Sequence, residues 1–179
     1  VNIMQEGIDL AIRGAPLLDS GLQASKLSTL QTVLCGSPEY LNKHGRPSKP
    51  SELDQHNWVI YKLTSGVLEL TQGSRSYSVK VNGSISTNNA AARTAFIEGG
   101  HGLGRIPTYD ALPKIKGGTL EAILEDYQLA NIDIYGVFPP GTTGSKKLRL
   151  LIDFLKDFFA KQAGLSKPVN PLPASENRN

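Results

Sequence analysis

A strand–helix–strand unit between Val81 and Pro107 places the strongest constraint on how this chain can fold. The pattern predicts a strand that ends at Ile85, a polar turn, an alanine-rich helix over 90–97 and a second strand over 103–107. Glycines between the helix and the second strand end the helix, because glycine adopts the left-handed conformation without steric cost. Such a unit is typical of α/β proteins.

Small polar residues fill the turn before this helix. Their hydroxyl and amide groups can accept hydrogen bonds from the first N–H groups of the helix. Those N–H groups and the helix dipole also attract a carboxylate or a phosphate. Two interpretations therefore remain open, ordinary helix capping or an anion site, for the residues Ser86, Thr87, Asn88 and Asn89.

A short apolar run near the start of the chain, Ile8–Ile12, predicts a buried parallel strand. Arg13 follows it directly. Ligands of open α/β sheets bind beyond the carboxyl ends of the strands, so Arg13 is a candidate contact for an anionic ligand. The alternative is a surface arginine that pairs with Asp9 or Asp19.

Composition excludes several classes of protein. The 179 residues are 39% hydrophobic and 20% charged, which is typical of a globular chain with one domain or two small lobes. A net charge of +3, spread along the chain, gives little support for nucleic-acid binding by this stretch. No run approaches the roughly 20 apolar residues of a membrane helix. The single cysteine, Cys35, fits a reducing compartment and a buried structural thiol.

Catalytic and cofactor motifs are not recognisable. His44, His56 and His101 are far apart and have no ligand partners at metal-binding spacing. No serine lies in a G-x-S-x-G motif. The glycines around His101 follow a helix instead of opening one, unlike a dinucleotide fingerprint, and His101 itself is more typical of a packed loop residue than of a base. The sequence therefore predicts no metal, no cofactor and no enzyme.

Several other elements bear on the fold. Leu22–Gly36 predicts a long extended strand that crosses between two lobes, and Ser37 is the predicted N-cap of the following helix. A short helix over 108–112 is expected to end before Pro113. Ile132–Phe138 predicts the last strand.

The clearest helix is predicted over Lys146–Lys161. Leu150 and Phe154 lie outside its apolar stripe, so the predicted buried arc is wide enough for a second contact with another lobe or a partner subunit. The polar, proline-containing segment 164–179 predicts a disordered tail. The predicted core-facing stripe consists of Leu148, Leu151, Ile152, Leu155, Phe158 and Phe159.

Five stretches, taken together and in order, resemble the effector-binding domain of LysR-type transcriptional regulators. The combination is specific, whereas no single stretch would be. They are EGIDLAIRGAPLLDSGLQASKL (6–27), VLCGSPEYLNKHGRPSKPSELDQHNWV (33–59), STNNAAARTAFIEGGHGLGRIPTY (86–109), IYGVFPPG (134–141) and KLRLLIDFLKDFF (147–159).

This resemblance implies an α/β fold of the periplasmic-binding-protein type, with two Rossmann-like lobes, crossing strands between them and the effector in the cleft. Residues 1–30 would then be the remainder of lobe I, and 31–133 lobe II with the first crossing strand. Residues 134–163 would be the return strand and C-terminal helix, followed by the tail. In the family a strand, a helix and a second strand of lobe I would precede Val1, so lobe I is expected to be incomplete.

The resemblance also implies an effector site, for a small anionic metabolite. Gly36 and Ser37 are expected where the first crossing strand enters lobe II, and Phe138 near the return crossing. The family's site residues would fall on Arg13, Gly14, Gly36, Ser37, Ser86, Thr87, Asn88, Asn89 and Phe138.

The expected partners follow from the same resemblance. They are a small-molecule effector, a second copy in a homodimer or homotetramer, and DNA, the last only through an N-terminal helix-turn-helix that this chain does not contain. A cytoplasmic location and no membrane contact are expected. Two alternatives share the fold: a solute-binding protein of a transporter, which would need a secretion signal, and an enzyme, for which no catalytic group is recognisable.

Overall fold

The computed structural model describes residues 7–14, 21–62, 66–142 and 145–165. The predicted disordered tail lies outside these residues from position 166 onward, and its first two positions belong to the last helix. The strands are β1 (Ala11–Arg13), β2 (Gln23–Leu30), β3 (Thr32–Gly36), β4 (Val59–Tyr61), β5 (Val67–Gln72), β6 (Arg75–Lys80), β7 (Ile85–Thr87), β8 (Gly104–Pro107), β9 (Glu121–Ile123), β10 (Gln128–Leu129) and β11 (Ile132–Phe138). The helices are α1 (Pro38–His44), a 3-10 helix (Pro50–Gln55), α2 (Ala90–Glu98), α3 (Thr108–Lys116) and α4 (Lys146–Leu165).

Lobe II, residues 32–129, is built on a mixed sheet. β3 pairs antiparallel with β8 and with β9, and β4 pairs parallel with β7. A parallel bridge between Trp58 and Leu103 joins these two parts, giving the strand order β9-β3-β8-β4-β7. Because Thr32 pairs with Pro107, the carboxyl ends of β4, β7 and β8 lie at the same edge as the start of β3. This edge is called the crossover edge below.

Both faces of the lobe II sheet are covered, because successive side chains of a strand point to opposite faces. Leu34 and Leu103 pack into a cluster beneath α1, the 3-10 helix and the β5–β6 hairpin. Cys35 and Ile106 pack on the other face against Ile97 of α2 and residues of α3. The layers on the two faces enclose the sheet and make lobe II the main core.

Two crossovers join the lobes side by side. β2 leads into β3 through Gln31 alone, and β10 leads into β11 through Ala130 and Asn131. β2 and β11 pair antiparallel, with Leu30 opposite Ile132 next to the crossovers. The predicted long extended strand is therefore present with a break at Gln31, and the return strand begins two residues before the predicted boundary of 134.

Lobe I consists of β1, β2, β11 and α4 in the described part of the chain. The prediction of a buried parallel strand at Ile8–Ile12 is wrong, since β1 is shorter and pairs antiparallel with β11. Ile12 is 52% exposed, so this strand is not buried on both faces as a parallel-sheet strand would be.

The predicted stripe of α4 is only partly correct. Leu148 and Ile152 are buried and Leu155 and Phe159 are partly buried against β2 and β11, at spacings of i, i+4, i+7 and i+11. Leu151 and Phe158, which the sequence placed on the stripe, are exposed. The buried arc is narrower than predicted, because it is limited to the side chains that meet one layer of strands.

The predicted stop at Pro113 is also wrong. α3 continues through this proline to Lys116. A proline here removes only the hydrogen bond that would reach the carbonyl of Tyr109 in the first turn. The helix continues past the proline because Ala111 and Ile115 pack in the core of lobe II.

Candidate effector site at the crossover edge

The polar turn before α2 lies at the crossover edge of lobe II. Asn89 is the N-cap, and its side-chain oxygen accepts a hydrogen bond from the Ala92 N–H at 3.0 Å. The Thr87 hydroxyl accepts from the Asn89 N–H at 3.1 Å. Capping is therefore confirmed as one function of the turn. Since a helix start has four N–H groups without intrahelical partners, capping leaves others available to an anion.

One residue of this turn, Ser86, lies on the sheet face opposite α2. Ser86 pairs with Ile60, and both alternate with neighbours that face α2. Asn88 is exposed. Thr87, which pairs with Tyr61, is on the α2 face at the carboxyl ends of the two strands. Thr87 and Asn89 are thus the members of the predicted turn that the structure brings to the helix start.

Arg93 lies one turn into α2 and was not among the residues selected from the sequence. It is 6% exposed, its guanidinium carbon lies 4.6 Å from the centre of the Tyr61 ring, and its Nε has no hydrogen-bond partner among the described residues. Burial lowers the pKa of Arg93, against the opposing charges of Tyr61 and Asp110. A usable signal was its spacing, since Arg93 and the buried Ile97 share a helix face at i and i+4.

The carboxylate of Asp110 in the first turn of α3 already has partners. The Thr94 hydroxyl donates to it at 2.7 Å, and the Lys114 ammonium lies 3.9 Å away. These contacts link α2 to α3 and hold Asp110 in place. Asp110 also lies close enough to Arg93 for its charge to raise the pKa of that arginine.

Arg105 of β8 and Thr108 of α3 contact the two crossovers. The Arg105 Nε donates to the Thr32 hydroxyl at 2.8 Å, and its Nη2 donates to the carbonyl of Ala130. The Thr108 N–H donates to the carbonyl of Gln31 at 2.9 Å. Burial lowers the pKa of Arg105, and the charge of Arg93 lowers it further. Two of these hydrogen bonds tie the connecting segments to β8 and α3, and the third holds Arg105 against the first residue of β3.

The lobe I candidates lie at the end of their sheet that borders the crossovers. Arg13 is the last residue of β1 and pairs with Tyr135. A Cβ at Gly14 would lie 3.5 Å from Ile132, the residue that follows the second crossover. Of the two carboxylates considered as surface partners of Arg13, Asp19 lies outside the described residues.

Three other predicted site residues lie elsewhere, and their expected positions are wrong. Gly36 ends β3 and Ser37 follows it, about 13 Å along the strand from Thr32, where the crossing strand enters lobe II. Ser37 is buried and caps α1, accepting from the Tyr40 N–H at 3.2 Å. Phe138 pairs with Gln23 at the end of β11 away from the crossover and packs in the lobe I core. Strand direction relative to the crossovers, which the sequence does not reveal, explains all three.

Other chemistry has little support in the part of the chain that the structure describes. No group of three or more His, Cys, Asp or Glu side chains could hold a metal ion there. Cys35 is completely buried, and burial raises its pKa to about 12, so its thiol stays protonated at neutral pH. None of the described helices is long and apolar enough to cross a membrane.

A family model and the sequence relatives of this chain agree on its family. The family model described as LysR substrate binding domain matches residues 1–160. The HTH-type transcriptional activator TtdR of Escherichia coli K12 is 32% identical over 168 residues, covering 92% of this chain and 54% of TtdR. The HTH-type transcriptional regulator DmlR of the same organism is 30% identical over 165 residues, covering 90% of this chain and 53% of DmlR. The chain spans about half the length of these relatives, which are named as regulators and not as enzymes.

Solved structures agree with the fold. The regulatory domain of CrgA, a LysR-type transcriptional regulator from Neisseria meningitidis, superposes with a TM-score of 0.71 at 23% identity, covering 89% of this chain and 79% of that one. Full-length AphB, a virulence activator of Vibrio cholerae in the same family, superposes with a TM-score of 0.68 at 25% identity, covering 86% of this chain and 53% of AphB. The two-lobed α/β architecture is thus that of LysR regulatory domains. The chain belongs to the LysR substrate-binding domain family, the effector-binding domains of LysR-type transcriptional regulators.

Proposed function

We propose that this chain senses a small anionic metabolite in the cleft between its lobes and so controls DNA binding by the full-length regulator. The single observation that carries this proposal is the convergence at the crossovers. The capped start of α2 and the carboxyl end of β1 both lie at the ends of their sheets that border the two connecting segments. An effector held between Thr87–Asn89 and Arg13–Gly14 would contact both lobes.

The lobe II wall supports an anionic ligand. The α2 N-terminus carries the positive end of the helix dipole and N–H groups beyond those that Asn89 satisfies. The carboxyl ends of parallel strands β4, β7 and β8 form the edge at which ligands of open α/β sheets bind. Both features favour a carboxylate or phosphate at this position.

A route from ligand binding to lobe movement runs through the crossovers. Arg105 and Thr108 hold the connecting segments against lobe II by direct hydrogen bonds. A ligand that touches both lobes stabilises one angle between them in proportion to its difference in affinity for the two states. A coupling free energy of about 1–3 kcal/mol would change affinity for DNA roughly 5- to 150-fold.

In the full-length protein we infer that an N-terminal helix-turn-helix contacts DNA, that copies associate as a dimer or tetramer, and that the protein acts in the cytoplasm. The names of TtdR and DmlR as HTH-type regulators support this inference. The reducing environment suited to the buried thiol of Cys35 agrees with it. The transporter alternative has no comparable support and is set aside.

A ligand screen tests the proposed site. Thermal shifts would be measured with a library of small carboxylic acids, and any ligand found would be tested on Arg13→Ala and Thr87→Val. We expect both variants to weaken the shift while their melting temperature without ligand changes little. Arg75→Ala and Thr71→Val in the β5–β6 hairpin are matched controls. Unchanged ligand shifts in both site variants would contradict the site.

A further inference from the structure

Three arginines of lobe II differ in the hydrogen-bond partners of the guanidinium edge that carries Nε. Arg46 donates from Nε and Nη2 to the two oxygens of Glu121 at 2.8 and 2.9 Å. Arg105 donates from Nε and Nη2 to Thr32 and Ala130. Arg93 is buried, yet its Nε is the one buried side-chain nitrogen or oxygen without a hydrogen-bond partner in the described part of the chain.

We propose that Arg93 is the carboxylate-recognising residue of the lobe II wall, binding the two oxygens of a ligand carboxylate through its Nε–H and an adjacent Nη–H. This inference rests on the proposed cleft function and names the chemical class of its ligand. The Arg46–Glu121 pair within the same chain has this two-point geometry. Guanidinium and carboxylate fit one another because both are planar and present paired donors or acceptors.

The described groups around Arg93 do not supply the missing acceptor, and because neighbouring atoms cover Nε, a carboxylate reaches it only when the side chain or those atoms shift. The Tyr61 ring lies over the guanidinium at 4.6 Å, which occupies a face of the cation and not its in-plane N–H groups. The neighbouring carboxylate, Asp110, has Thr94 and Lys114 as partners. Arg93 is therefore a cation positioned by a ring, next to an anion whose contacts are already made.

Arg93 lies next to the candidate site. The Arg93 N–H donates to the carbonyl of the N-cap Asn89 at 3.0 Å, so the side chain starts one turn below the α2 start. Tyr61 pairs with Thr87, which places both residues at the carboxyl ends of their strands, on the α2 face. The helix start and the arginine edge can thus act on one ligand from adjacent positions.

The buried positive charge supplies the reason for binding. A guanidinium removed from water loses hydration that hydrogen bonds must replace, and a donor without a partner leaves part of that loss uncompensated. A carboxylate would supply both the opposite charge and the missing acceptor. A carboxylate is favoured over chloride, because chloride is a single acceptor and a carboxylate offers two oxygens to the two donors. Phosphate can also contact two donors, but it is larger and tetrahedral, so a planar carboxylate fits a buried edge better.

Formate, the smallest carboxylate, allows a direct test without knowledge of the effector. The Nε–Hε NMR signals of the ¹⁵N-labelled 179-residue chain would be assigned by through-bond experiments and followed during titration with sodium formate. Sodium chloride at equal ionic strength is the control for screening, and inorganic phosphate is a second anion. We expect the Arg93 signal to shift with saturation in formate, and to shift less in phosphate and chloride. The signals of Arg46 and Arg105 should change little.

An Arg93 signal that responds no more to formate than to chloride, or no more than the Arg46 signal, would overturn the proposal. Equal saturable responses to formate and phosphate would overturn the preference for carboxylate. Arg93→Lys keeps the charge but lacks Nε, so we expect about a tenfold higher half-saturating formate concentration, followed on the Thr87 and Asn89 amides. Arg75→Lys is the matched control. If Arg93→Lys does not fold, the assigned Arg93 signal of the unsubstituted chain still decides the question.

The result is separable from the cleft function. A formate response at Arg93, together with effector shifts that stay unchanged in Thr87→Val and Arg13→Ala, would retain the anion contact and remove the interlobe site. An effector that depends on Thr87 and Arg13 but leaves the Arg93 signal unmoved would retain the cleft and overturn the role of Arg93.

Discussion

Lobe II and lobe I differ in how much of their apolar surface is buried. In lobe II, Leu41, Leu53, Leu103 and Ile106 are completely buried, and the sheet has a layer on each face. In lobe I, one face of α4 exposes large apolar side chains to solvent among the described residues. Their exposed fractions are 61% for Leu150, 43% for Leu151, 63% for Phe154 and 46% for Phe158.

This difference shows that the number of packed layers, and not the hydrophobicity of a segment, decides which side chains are buried. α4 carries large apolar side chains on more than one face, but it meets strands on one side only. The lobe II strands are short, yet layers above and below enclose them. Stability should therefore depend most on lobe II residues.

The largest expected effect comes from truncating one leucine in each lobe. Leu103→Ala should lower the free energy of unfolding by about 3–4 kcal/mol, because it opens a cavity in a closed core. Leu150→Ala should change it by less than about 0.5 kcal/mol, because that side chain is exposed. Urea denaturation measures both values. Equal losses would contradict the contrast between the lobes.

A second comparison uses Arg105, which holds the second crossover against lobe II. Arg105→Ala should cost about 2 kcal/mol, since it removes two charge-assisted hydrogen bonds at a partly buried position. Arg46→Ala removes an exposed ion pair and should cost at most about 1 kcal/mol. Hydrogen exchange of the β11 amides should accelerate in Arg105→Ala alone. Unchanged β11 protection would exclude Arg105 as a clamp of the crossovers.

A smaller effect is expected at the start of α2. Asn89→Ala should cost about 1 kcal/mol, because its side chain caps the helix. Asn88→Ala is the adjacent control, and this exposed residue should change stability by less than about 0.5 kcal/mol. Thermal denaturation distinguishes them, and equal losses would show that the cap is not at Asn89.

The smallest expected effects are on the pH dependence of stability, and they fall in a different pH range for each lobe. In lobe II, burial, followed by the nearby His44, lowers the pKa of His56 below its ordinary value of 6.5. The folded state thus favours neutral His56. The resulting contribution to the stability of the fold is present above pH 6.5 and is lost as the pH falls through the lowered pKa. His56→Gln should remove that loss.

In lobe I the corresponding group is a carboxylate. Hydrogen bonds from Lys26 and Thr29 hold the pKa of Asp133 below its ordinary value of 3.8. Its contribution is present above pH 3.8 and is lost as the pH falls through the lowered pKa. Melting temperatures of Asp133→Asn and His56→Gln, measured between pH 3 and 7, separate the contribution of Asp133 from that of His56. A common pH of onset in both would contradict this assignment.

Local chemistry made several features predictable. The helix after Asn89 has the predicted start, and Gly100, with φ of +75°, takes the left-handed conformation that ends it. Ser37 caps α1 as expected. The family-specific stretches led to the two-lobed fold, which the superpositions with CrgA and AphB confirm.

Features that depend on distant partners were not predictable. Gly36, Ser37 and Phe138 were placed at the wrong ends of their strands, because position along a strand does not state which end meets the crossover. Arg93 gave no motif of its own. Its interest comes from Tyr61, 32 residues earlier in the chain, and from a missing hydrogen bond.

By itself, the sequence determined the capped starts of α1 and α2 and the glycine end of α2, because caps and glycines act over a few neighbouring residues. The tertiary structure alone decided which ends of the strands meet at the crossovers, which face of α4 is buried, and which arginine lies buried beside the α2 start. These outcomes depend on contacts between residues far apart in the chain. Burial and electrostatic effects come from such contacts, and no local pattern encodes them.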